Sequence, residues 1–130
     1  EPNMAKWVRA GVLDSGLNDI KNNATHMLLI KAYTVGDSYA TVVGNLVADA
    51  TMTGTDFTLS NSGSNRVLTT AAGKSATASA NSGATPNLHI AFTDGSANVI
   101  WVTDETSDQV VTSGNTVNFP SITYTSNQPT

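Results

Sequence analysis

The stretch from Leu88 to Pro120, LHIAFTDGSANVIWVTDETSDQVVTSGNTVNFP, decides the fold class. Leu88, Ile90 and Phe92 alternate with His89, Ala91 and Thr93, the period-2 pattern of a strand that buries one face. Thr93-Asp94-Gly95-Ser96 supplies turn chemistry, because Gly tolerates positive φ and Asp bonds back to nearby backbone. Val99-Ile100-Trp101-Val102 returns as a short apolar run of β-branched and aromatic residues, which predicts a strand covered on both faces with Trp101 in the core. After the acidic loop Asp104 to Asp108, two further strands are predicted at 116–119 and 121–124, bent at Pro120.

Working outward, the same grammar holds. His26 to Tyr33 reads as a strand, and Ser38 is placed to cap a brief helical turn through YATVV that ends at Gly44-Asn45. Residues 46–52 and 55–60 are strands, followed by a loop at 61–65. Arg66 to Ala72 and Lys74 to Ala80 read as a hairpin turning near Gly73. Ala76, Ala78 and Ala80 would bury only methyl groups in it, each worth about 0.8 kcal/mol. Upstream, Asp14-Ser15 reads as an N-cap, with Leu17, Ile20 and Ala24 at helical spacing behind it. The expectation is a mainly β fold: a sandwich or jelly-roll-like barrel of about eight short strands with a short N-terminal helix. Residues 14–126 form one β-rich domain, 1–13 an N-terminal arm and 127–130 a polar tail; Met4 reads as the native start, with Glu1-Pro2-Asn3 a remnant ahead of it.

Composition narrows the function classes. The chain has 130 residues and only 12% are charged, about half the usual share of roughly 25%. Neutral polar residues fill the gap: 19 Thr, 13 Ser and 13 Asn. A net charge of −4 with six dispersed cations argues against nucleic-acid binding, which needs a basic stripe. No run approaches the ~18 apolar residues of a membrane span. Cys is absent, which removes disulfides, thiolate metal sites and Cys nucleophiles together.

Chemistry-bearing motifs are few. His26 and His89 each occupy a strand position without a second His at metal-ligand spacing. No Gly-x-Ser-x-Gly elbow and no phosphate-binding Gly-rich loop occurs. Asp104, Glu105 and Asp108 offer three carboxylates suited to a hard cation such as calcium, though they miss the helix-loop-helix spacing and equally suit a solvated turn that guards a strand edge. No cofactor is expected. Lys6-Trp7-Val8-Arg9 sets an aromatic between two cations, a composition favoured at protein contacts; the alternative is that Trp7 caps the domain's own core.

The runs MAKWVRAGVLDSGLNDIKNNATHMLLIKAYTVGDSYATVVG (4–44) and AFTDGSANVIWVTDETSDQVVTSGNTVNFPSITYTSNQP (91–129) resemble small virion structural proteins of tailed bacteriophages, and most of all capsid decoration (cement) proteins. The resemblance implies a non-enzymatic protein, assembled in the host cytoplasm, that binds the major capsid protein on the outside of the head shell and often self-associates as a trimer. It carries over no catalytic residues. Without Cys, any cementing is non-covalent. Independently, few Lys or Glu guard the strand edges, so bulges, loops or other subunits must cover them. A tail-fibre or receptor-binding module would share this composition, and a capsule-degrading enzyme would need its carboxylate pair set in a cleft.

Overall fold

A computed structural model describes residues 5–104 and 109–130. It is mainly β: nine strands in three antiparallel sheets, a 14-residue N-terminal helix and a shorter second helix. The strands do not close into a barrel, and the architecture is that of a sandwich. Strand β1 (His26–Ile30) lies between β2 (Leu46–Thr51) and β6 (His89–Thr93), with β7 (Val99–Asp104) beyond β6. The second sheet has the order β3 (Phe57–Ser62), β4 (Asn65–Thr70), β9 (Thr123–Ser126). The third pairs β5 (Ser75–Thr77) with β8 (Thr116–Asn118).

Register explains how the sheets face each other. Pairing of Leu59 with Leu68, and of Leu68 with Tyr124, turns an apolar face inward. The opposite face carries Thr58, Thr69 and Thr123 in one cross-strand row, the outward hydroxyl surface that the composition foretold. Inside, Phe92 stacks on Trp101 at 4.6 Å and 11° and meets Phe57 at 6.0 Å. A smaller cluster of Leu28, Ile30, Val42 and Ala91 sits on the other face of the four-stranded sheet, beneath α2 (Tyr39–Gly44). Ser38 caps α2 as expected, its hydroxyl accepting from the Thr41 amide at 3.2 Å.

Helix α1 (Ala10–Asn23) corrects the expected start at Asp14-Ser15. Arg9 is the N-cap, so residues 10–13 belong to the helix and not to an extended arm. The physical reason is packing. One more turn brings Leu13 onto the stripe of Leu17, Ile20 and Ala24, all buried. Asp14, relieved of capping, instead accepts from Arg66 Nε at 2.8 Å and pins α1 to β4.

Two further expectations change. Arg66–Ala72 and Lys74–Ala80 do not pair. β4 joins β3 through a tight turn in which Gly63 takes φ +63°, whereas β5 crosses to β8. The far side of Thr70 is already taken, since its Oγ1 accepts from the Ile122 amide at 2.8 Å and its carbonyl from Ser121 Oγ. Gly73 is thus a corner between sheets. The double coverage predicted for β7 belongs instead to β6, where Ile90 to Thr93 are all buried. β7 ends its sheet, so Trp101 is only half-buried, one face on Phe92 and Tyr124 edge-on at 5.4 Å.

The β6–β7 hairpin is held by one carboxylate. Asp94 Oδ1 accepts from the amides of Ser96, Ala97 and Asn98 at 2.9, 2.9 and 3.0 Å, and Oδ2 accepts from Asn98 Nδ2 at 2.7 Å. These donors, the Ala97 amide foremost, hold the Asp94 carboxyl far below its ordinary value of 3.8. A depressed folded pKa gives stability that is complete above the unfolded value and lost as pH falls towards the folded one. The urea midpoint of the wild type therefore exceeds that of Asp94→Asn at pH 6, and the gap closes as the pH is lowered towards 2. A gap of constant size would show that the charge contributes nothing.

Candidate functional site

The arm ahead of α1 is the first place to look, because the sequence singled out Lys6, Trp7, Val8 and Arg9. Trp7 is 73% exposed. The alternative in which it caps the core is excluded by that number, since a capping indole would bury most of its area. On the first turn of α1, Val12 is also exposed.

The arm is nonetheless fixed. The Gln128 side chain accepts from the Val8 amide and donates to the Val8 carbonyl, both at 3.0 Å, as a neighbouring strand would. Its amide nitrogen also donates to the Ser64 carbonyl at 3.0 Å, and its backbone N–H to Asn65 Oδ1 at 2.7 Å. Lys6 Nζ adds a bond to the Thr130 carbonyl at 2.8 Å. A single carboxamide thus ties together the arm, the C-terminal segment and the β3–β4 turn. Sequence reasoning missed Gln128 and passed 127–130 over as a polar tail. A Gln amid Ser, Asn and Pro gives no local signal for partners 120 residues away.

Charge is distributed unevenly around this site. Residues 5–13 hold Lys6 and Arg9 and no carboxylate, and the nearest acid, Asp14, is paired with Arg66. Elsewhere, Lys21 Nζ bonds the carbonyls of Gly54 and Phe57, as Lys6 bonds that of Thr130, and Lys74 pairs with Asp56 at 3.2 Å. Burial raises the Asp56 carboxyl, but bonds from the Thr53 backbone and from Lys74 outweigh it and bring the pKa below its ordinary value. The arm is a cationic patch on an acidic chain.

The carboxylate candidate is not assembled. Asp104 closes β7 with its side chain 64% exposed, its Oδ1 3.7 Å from His89 Nε2; Glu105 and Asp108 lie outside the described residues. Among the described residues no three His, Asp or Glu side chains gather as metal ligands do. His26 Nδ1 lies 2.8 Å from Asp49 Oδ1 on the neighbouring strand β2, and His89 Nδ1 lies 3.0 Å from the carbonyl of Asn87, just ahead of β6. A cleft of about 580 Å³ opens between the core side of β1 and β6 and the segment 109–120, its floor Leu29, Leu88 and Ile90, and none of the described residues that line it is charged. No helix among the described residues is long and apolar enough to cross a membrane. Comparison with protein-family models, with curated proteins and with solved structures finds no match to the chain.

Proposed function

We propose that this chain is a non-enzymatic virion structural protein of a tailed bacteriophage, which decorates and stabilises the capsid shell through non-covalent contacts with the major capsid protein. The observation that carries the reading is the arm: an indole 73% exposed on a backbone held at both polar groups of Val8. A folded domain that spends four hydrogen bonds of one glutamine around an exposed tryptophan is presenting that ring to something else. The resemblance of 4–44 and 91–129 to decoration proteins supplies the kind of partner. The outward hydroxyl rows of the β3–β4–β9 sheet suit close lattice neighbours, because uncharged groups are less costly to desolvate than ions.

Binding of fluorescently labelled protein to purified, emptied phage heads and to host cells tests the reading. The expected result is saturable binding to heads and none to cells. Binding to cells alone would transfer the chain to the tail-fibre reading, and turnover of capsular polysaccharide would make it an enzyme.

A further inference from the structure

We infer that the arm docks into an acidic, apolar-floored cleft on a protein partner, with Trp7 as the buried anchor, Lys6 and Arg9 as flanking charges and Gln128 as the residue that positions them. The inference rests on the shell-binding reading and adds the chemistry of the site on the partner.

Three observations converge. Trp7 offers the largest exposed apolar side chain of the arm, and Val12 on the first turn of α1 is exposed as well. Large rings of few rotamers, seated in a pocket, dominate contact energies. The charge around that ring is the reverse of the chain's own. Residues 5–13 carry Lys6, its Nζ on the Thr130 carbonyl, and Arg9, with no acid among them, on a molecule of net charge −4. A partner surface bearing carboxylates is complementary to this patch and is repelled by the remainder, which sets orientation as well as attraction. Finally, the Gln128 carboxamide grips Val8 at N–H and C=O, so the residues on either side of it, Trp7 and Arg9, are held before any partner arrives. Ordering of the backbone is then completed on folding and not charged against docking.

Nucleic acid and anionic lipid also take cations and tryptophan. The acidic balance of the chain disfavours both, since neither phosphate polymer nor lipid headgroup tolerates a surface of like sign around so small a basic patch. A protein cleft confines its carboxylates to the arm, so the like charge of the remainder orients the partner without opposing the contact itself.

Emptied heads, a thymidine oligonucleotide and vesicles containing phosphatidylserine serve as the three probes, each titrated with the full chain. Trp7→Ala is expected to weaken head binding by about 30-fold. Lys6→Glu with Arg9→Glu is expected to weaken it by about tenfold at low salt, and less at about 0.5 M salt, where surface charges are screened. Gln128→Ala leaves the indole in place yet costs about tenfold, because the arm must now be ordered on docking. In 5-fluorotryptophan-labelled protein the same change sharpens the Trp7 fluorine resonance while that of Trp101 stays broad, a readout that a general loss of stability would not give. Each variant keeps a cooperative melt. Wild-type binding to heads that none of the three variants alters overturns the inference and leaves the shell-binding reading intact. No binding of the wild type to heads overturns both. Trp7-dependent binding to the oligonucleotide or to vesicles, with heads indifferent to the variants, replaces the protein partner with phosphate or lipid.

Discussion

Phe92→Ala lowers the unfolding free energy by about 3–5 kcal/mol, a large share of the total for a domain of this size. Its ring is fully buried and touches two other aromatic rings from different elements, Phe57 at the start of β3 and Trp101 on β7. Removing it deletes the apolar area and also strips the stacked partner from one face of Trp101, which already lies half open. The surrounding strands cannot close the gap, because β6 is hydrogen-bonded on both sides, to β1 and β7. With a urea slope typical of small domains the midpoint falls by about 2 M. The near-ultraviolet circular dichroism of Trp101 weakens in the same variant. A loss under about 1 kcal/mol would mean that this contact is not the hub of the core.

Gly95→Ala is the second large effect, and it can be divided into parts. Gly95 sits at φ +80°, and a Cβ there would stand 2.7 Å from Cδ2 and Nε2 of the His26 ring. The left-handed conformation costs an alanine about 1 kcal/mol or more. The clash forces His26 away from Asp49, breaking the 2.8 Å contact between β1 and β2. The combined cost is about 2–3 kcal/mol, drawn from both mechanisms. A double-mutant cycle separates them. Adding His26→Ala removes the clash but not the strain, so the pair of changes costs less than their sum by about 1 kcal/mol. Strict additivity would show that the ring moves aside freely.

What the residues disclosed before the structure follows the range of the interactions involved. The Asp94-Gly95 hairpin and the Ser38 cap were legible because each depends on groups within four positions of one another. The start of α1 was misplaced because a local cap signal at Asp14 lost to the burial of Leu13 against the core, and Asp14 pairs instead with Arg66, 52 residues away. The alanine strand at 75–80 keeps its alternation as far as Ala78, which is buried, yet its partner is β8 and not β4. Methyl groups give too little shape to name a neighbour, so no pattern in 74–80 could have selected residues 116–118. The same limit applies to the site. The composition of Lys6 to Arg9 marked a contact, but its anchoring by Gln128 crosses almost the whole sequence and was invisible to any window.

The latch between Val8 and Gln128 has a topological consequence as well. With Lys6 Nζ on the carbonyl of Thr130, polypeptide continued past residue 130 and polypeptide placed ahead of residue 6 leave the molecule side by side. A cargo domain or affinity tag joined at either terminus would crowd the same face as the exposed indole, and one inserted at the Gly63-Ser64 bend would disturb the latch too, because Gln128 bonds the Ser64 carbonyl. A load pulling the two termini apart would strain the glutamine latch first and then the packing of α1 on β9, ahead of the four-stranded sheet.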